Sequence, residues 1–132
     1  ALKRLVDLSQ RTTAVQIDLR LDELPRCGDG VEREIVAIVQ EALNNAVRHS
    51  RARRITVRAS TAQSVGLRLS VTDDGRGIAR DPMSAGFGMT SMQERADRIG
   101  ASLTIVTAPR SGTEVVLAWE PTSAPTRVHV AN

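Results

Sequence analysis

The 132-residue sequence has no tyrosine, one phenylalanine (Phe87) and one tryptophan (Trp119). Aromatic platforms on which nucleic-acid bases could stack are therefore missing. A single cysteine, Cys27, excludes an internal disulfide and suits a reducing compartment. No stretch approaches the roughly 20 apolar residues of a membrane span, and no signal-peptide pattern opens the chain. The expectation is one soluble, cytoplasmic domain, compatible with a parent protein anchored in the cell membrane. A chain of this length buries roughly two thirds of its unfolded surface, so it needs no covalent staples.

Lysine is also nearly absent. Lys3 stands alone, and every other cation is an arginine, giving a net charge of +3 and a pI near 10.3. Arginine favours phosphate and carboxylate because its planar fork meets two oxygens at once. Arg48, Arg51, Arg53, Arg54 and Arg58 crowd together in sequence. Without aromatics between them they read as a solvated turn and strand face, and no nucleic-acid partner is expected.

What is present is clear alternation. Residues 15–21 place Val15, Ile17, Leu19 and Leu21 on one side and Gln16, Asp18 and Arg20 on the other. Residues 54–60 and 65–73 repeat the pattern and predict a hairpin through "TAQS". Strands over 102–107 and 113–120 flank "APRSG". Helical spacing predicts helices over 2–13, 31–49 and 88–99, the last closed by Gly100 as C-cap. Strictly alternating strands imply one covered and one wet sheet face. The predicted fold class is α/β: a two-layer sandwich with a mixed, mostly antiparallel sheet under about three helices. The tail, "PTSAPTRVHVAN", is expected to be flexible.

Two places break the pattern. Asp73 shares the parity of Leu67, Leu69 and Val71, so a carboxylate points to the covered face as the strand ends in "DDGRGI". A buried carboxylate is costly unless donors satisfy it, and the exocyclic amino group of a purine is such a donor. Gly75 and Gly77 leave room for a flat ring, and Ile78 offers it an apolar contact. The plainer alternative is a turn-forming aspartate followed by turn glycines. On the long helix, "EALNNAVRHS" places Glu41, Asn45, Arg48 and His49 in one stripe. An ordinary solvated face would look similar, but asparagines are poor mid-helix choices there. An amide oxygen at Asn45 suits Mg²⁺, and the guanidinium of Arg48 suits phosphate. "GFG" (86–88) directly precedes a helix whose first N–H groups, from Met89 onward, suit an anion.

Taken in order, these segments resemble the GHKL (Bergerat-fold) ATPases: gyrase, Hsp90, MutL and the sensor histidine kinases. "EIVAIVQEALNNAVRHS" is similar to their N box, "DDGRGI" and "GFGMTSMQERADRIGA" to their first and second glycine boxes, and "SGTEVVLAWE" to the third. The details are most similar to the catalytic domain of two-component kinases of the nitrate/nitrite-sensor type. Ala101 stands where that subgroup commonly has a second glycine, and the lid "ARDPMSA" is short.

The resemblance implies ATP and Mg²⁺ as cofactors. It implies that Asn45 ligates the metal and that Glu41 occupies the position of the acidic catalytic base. Arg48 and His49 would approach the phosphates. Asp73, Gly75, Gly77, Ile78 and Thr113 would surround the adenine, and Gly86, Gly88 and Met89 would anchor the lid. It further implies phosphoryl transfer to a histidine on a dimerisation domain outside this segment, and relay to a response regulator of the LuxR/NarL type. The parent protein would be a homodimer. Residues 1–14 would end a connecting helix, 15–120 would form the catalytic domain, and 121–132 the tail. The alternatives are a GHKL ATPase, an anti-sigma-type serine kinase, or a non-catalytic nucleotide-gated docking module.

Overall fold

A computed structural model describes residues 1–22, 24–49, 51–62, 66–76, 89–107 and 110–121. The expected tail and lid, with Gly77, Ile78, Gly86 and Gly88, lie outside the described residues. Helix α1 (Leu2–Gln10) leads into strand β1 (Gln16–Leu21), then helix α2 (Asp29–His49). The hairpin strands β2 (Arg54–Ala62) and β3 (Gly66–Asp73) follow. Helix α3 (Met89–Arg98) and strands β4 (Ser102–Thr107) and β5 (Thr113–Trp119) complete the chain.

The five strands lie in the order β1-β2-β3-β5-β4. Only β1 and β2 run parallel, joined through α2; the other neighbours are antiparallel. A parallel pair requires a crossover, and α2 is long enough to span the sheet. This is the two-layer α/β sandwich expected from the alternation.

Alternation decides the inner face. Ile55, Val57 and Ala59 of β2 are fully covered, as are Leu67, Leu69 and Val71 of β3 and Val115, Leu117 and Trp119 of β5. The helices answer with Ile35, Ile38, Val39, Ala42, Leu43 and Ala46 from α2 and Met89, Met92 and Ala96 from α3. Val6 of α1 joins the same core. At α3 the terminal glycine does what helix chemistry requires. Gly100 adopts φ +69, its N–H bonds the Asp97 carbonyl at 3.1 Å, and Ala101 N–H reaches Ala96 O at 2.9 Å.

Several boundaries differ from the sequence expectation, each for a local reason. Helix α1 stops at Gln10, not Thr13, because side chains capture the next backbone groups. Gln10 Nε2 donates to Val15 O at 2.7 Å, and Gln10 Oε1 accepts from Ile17 N–H at 2.8 Å. Thr13 Oγ1 accepts from Val15 N–H, so Val15 precedes the strand. Helix α2 begins at Asp29, two residues early, because the Gly28 carbonyl accepts Glu32 N–H at 3.0 Å. Leu21, read as inward, is 43% exposed at the end of the edge strand β1. Val116 has outward parity yet is 8% exposed, because it sits on a central strand between Ser70 and Thr104.

Ile38 lies midway along α2 and is 1% exposed. Ile38→Ala should destabilise the domain by about 2–5 kcal/mol in chemical denaturation, with the helix itself preserved.

Candidate functional site

Among the described residues three polar side chains are buried: Asn45, Asp73 and Thr113, at 7%, 7% and 8% exposure. All three are sequence-predicted site residues. Apolar neighbours surround them, so their burial calls for a reason other than packing.

Asp73 is the last residue of β3, and the antiparallel ladder sets it opposite both Ile55 and Thr113. Its Oδ1 accepts the Gly75 N–H at 2.9 Å, a buried bond that fixes the carboxylate as the chain leaves the strand. The turn reading and the ligand reading of this aspartate are thus compatible, since the turn is what orients the group.

Thr113 opens β5, and its hydroxyl lies 3.0 Å from that of Thr107 at the end of β4. Thr107 Oγ1 also donates to Gly112 O at 3.4 Å. Between them, Gly112 takes φ +81 and is pressed against Asp73. A Cβ there would collide with the Asp73 carbonyl oxygen and stand 3.4 Å from Oδ1. Together these residues line a depression of about 300 Å³ with Thr72, Asp73, Val106 and Glu114 on its walls. An acceptor carboxylate, two hydroxyls and a glycine without a side chain make a slot suited to the polar edge of a flat ring.

The neighbouring loops are tied to this end of the sheet. Asp74 Oδ1 accepts both Arg53 N–H at 2.8 Å and Arg54 N–H at 3.1 Å. Those backbone donors, with the Arg53 charge, hold the Asp74 carboxyl below the ordinary aspartate range. Arg110 N–H donates to Arg76 O at 2.7 Å, joining the turn before β5 to the segment after β3. Neither Asp74 nor Gly112 nor Thr107 was singled out from sequence. Gly112 and Thr107 had signals, a glycine beside Thr113 and an inward parity after Leu103 and Ile105. Asp74 had none, because its partners are 20 and 21 residues away.

On α2, Asn45 is buried and Glu41 half-buried, while Arg48 is exposed. Arg48 lines a shallow depression with Ser9, Thr12, Asn44 and Val47, on the α1 side of the predicted stripe. For His49 the helical backbone is described and the side chain lies outside the described residues. Met89 begins α3 and its side chain is buried in the core, so the helix start is held firmly. Arg95 donates to Glu34 Oε1 at 2.8 Å and Arg98 to Oε2 at 3.3 Å, clamping α3 onto α2. Both arginines hold the Glu34 carboxyl below its usual range, Arg95 foremost.

The donor set fits a hard cation that relies on its ligand. Among the described residues no cluster of three carboxylate, imidazole or thiol groups exists that would form a protein cage. A single amide oxygen from Asn45 suits Mg²⁺, which keeps several waters and takes its other ligands from substrate phosphates. Thiol chemistry is disfavoured. Cys27 sits beside a cavity of about 500 Å³ at the opposite end of the sheet, near Leu67. Burial, and then Glu32, raise its pKa, which keeps it a poor nucleophile.

Two outcomes follow. Asp74→Ala should lower stability at neutral pH. The difference from wild type is fully present above the usual aspartate value near 3.8 and vanishes as the pH falls through the depressed native value, measured by urea titration from pH 7 to 2.5. Gly112→Ala should cost about 1–2 kcal/mol from its left-handed backbone alone, and more from the displaced Asp73. Amide chemical shifts of residues 72–75 report that displacement.

Comparison with known proteins agrees with this geometry. Residues 30–123 match the family described as histidine kinase-, DNA gyrase B-, and HSP90-like ATPase. The chain is 35% identical over 115 residues to the sensor histidine kinase LiaS of Bacillus subtilis, covering 86% of this chain and 31% of that protein. It is 33% identical over 105 residues to the signal transduction histidine-protein kinase/phosphatase UhpB of Salmonella typhimurium, covering 80% of this chain and 21% of that protein. The chain thus spans under a third of the length of these curated relatives. In fold it is similar to the blue-light activated histidine kinase EL346 of Erythrobacter litoralis, with a TM-score of 0.83, 24% identity, and coverage of 95% of this chain and 42% of that one. It is also similar to the ATP binding domain of PrrB from Mycobacterium tuberculosis, with a TM-score of 0.72, 22% identity and 92% of each chain covered. The chain therefore belongs to the histidine kinase-, DNA gyrase B-, and HSP90-like ATPase family.

Proposed function

We propose that this chain is the ATP-binding catalytic domain of a sensor histidine kinase of the nitrate/nitrite-sensor type. The observation that carries the reading is the burial of the polar side chains Asn45, Asp73 and Thr113 within residues 30–123, the span that matches the family. The 35% and 33% identities to sensor kinases support the kinase over the ATPase and anti-sigma branches.

In this reading Asp73 accepts the adenine amino group. Thr113 supports the same edge, and Gly75, Gly77 and Ile78 flank the ring. Asn45 holds Mg²⁺, which when bound supplies positive charge to the phosphate oxygens. Arg48 and His49 approach the phosphates, and Gly86, Gly88 and Met89 anchor the lid. Glu41 takes or orients the proton of the acceptor imidazole as that ring attacks in line. The acceptor histidine belongs to a dimerisation domain beyond residues 1–14, which act as its connecting helix. The parent protein is a homodimer anchored at the membrane. Its phosphoryl group passes to a response regulator of the LuxR/NarL type.

Asp73→Ala should abolish ATP binding in calorimetry while circular dichroism stays unchanged. Asn45→Ala should remove the Mg²⁺ dependence of that binding. With a dimeric acceptor-helix fragment supplied in trans, wild type should yield labelled phosphohistidine. Binding without transfer would favour the docking module, and tight ATP binding by Asp73→Ala would refute the site.

A further inference from the structure

The face of the sheet that carries no helix holds a charge arrangement that folding alone does not explain. The parallel pairing of β1 with β2 sets Arg20 directly opposite Arg58. On the other side Arg58 faces Ser70, and Ser60 faces Arg68, so Arg68 is the diagonal neighbour of Arg58. All three arginines are exposed. Neighbouring strands lie about 4.8 Å apart, so three guanidinium stems rise from a patch on the order of 10 Å across. Like charges directly opposite in a sheet repel and lower stability.

The same face shows what relief looks like. Arg54, two rows away, pairs with Asp18 at 3.4 Å. Among the described residues Arg20, Arg58 and Arg68 form no ion pair. Asp18, the diagonal neighbour of Arg58, is engaged with Arg54, and Glu114 sits two strands from Arg58, beside Thr72. Asp22 and Glu120 follow the ends of β1 and β5 and are exposed. Around the arginines stand Ser60, Ser70 and Thr56, side chains too short to keep a partner at a distance.

We propose that Arg20, Arg58 and Arg68 form a docking site for a carboxylate-rich segment of a partner protein. Paired carboxylate oxygens match the guanidinium fork. The compactness of the trio favours a local cluster of carboxylates over a long polyanion. The absence of tyrosine, and the placement of Trp119 on the inner face, leave no stacking platform here. The three arginines have the opposite strand parity to the buried Asp73, and the proposal stands or falls independently of the nucleotide reading.

The test uses the full chain and a 20-residue helical peptide with glutamates at i, i+4 spacing. In nuclear magnetic resonance at 150 mM salt, the Nε–Hε signals of Arg20, Arg58 and Arg68 should shift on titration. The Arg20→Ser/Arg58→Ser/Arg68→Ser variant should bind at least tenfold more weakly. A control of equal charge change on exposed arginines in or next to the helices, Arg4→Ser/Arg11→Ser/Arg33→Ser, should lose less than threefold. Arg58→Thr alone should raise the melting temperature by about 2 °C, because it relieves repulsion. Equal weakening in the two triple variants would overturn the proposal, as would a lower melting temperature in Arg58→Thr. So would tighter binding of a 20-base-pair duplex, or of phosphatidylserine vesicles, through the same three arginines.

Discussion

The β3–β5 ladder is the constraint on which the site depends. It sets Asp73 against Thr113, and it can do so only because residue 112 has no side chain. With the glycine in place, the carboxylate, two hydroxyls and the Gly75 amide converge within one end of the sheet. The Asp73 carboxylate is aligned by the Gly75 backbone amide, and the Thr113 hydroxyl by that of Thr107. Their orientation therefore costs nothing at the moment a ligand arrives.

The placement of helix α2 is equally mechanical. Helix α2 packs Ile38, Val39, Ala42, Leu43 and Ala46 onto the sheet, and Asn45 is carried inward at the margin of that apolar stripe. Glu34, near the start of α2, holds α3 through Arg95 and Arg98. The start of α3 is pinned separately by Met89 in the core. The same logic applies at Asp74, whose two backbone bonds join the start of β2 to the end of β3.

The two faces of the sheet divide the molecule's chemistry. Among the described residues the inner layer is apolar except at Asn45, Asp73 and Thr113. The outer face carries Arg20, Arg58 and Arg68 without counter-ions among the described residues. Like charges directly opposite each other in a sheet lower its stability. The proposed nucleotide reading and the proposed docking surface therefore rest on separate observations.

The sequence by itself determined the class of fold and singled out the residues that prove to be its buried polar side chains, Asn45, Asp73 and Thr113. Period-two alternation showed which strand residues face inward, and it exposed Asp73 as the residue out of keeping with its neighbours. Helical spacing placed Asn45 beside an apolar stripe, and the glycine before Ala101 ended α3 where expected. These are local properties, set by backbone geometry within a few residues. Strand order, the parallel β1–β2 pair, the role of Gly112 behind Asp73, the clamp of Glu34 on α3 and the gathering of Arg20, Arg58 and Arg68 were decided only in three dimensions. Each brings together residues far apart in the chain, and no local periodicity encodes such pairings. The exposure of Arg48 on the α1 side has the same origin: a helical wheel gives the angle of a side chain, but only the packed neighbours decide what that angle faces.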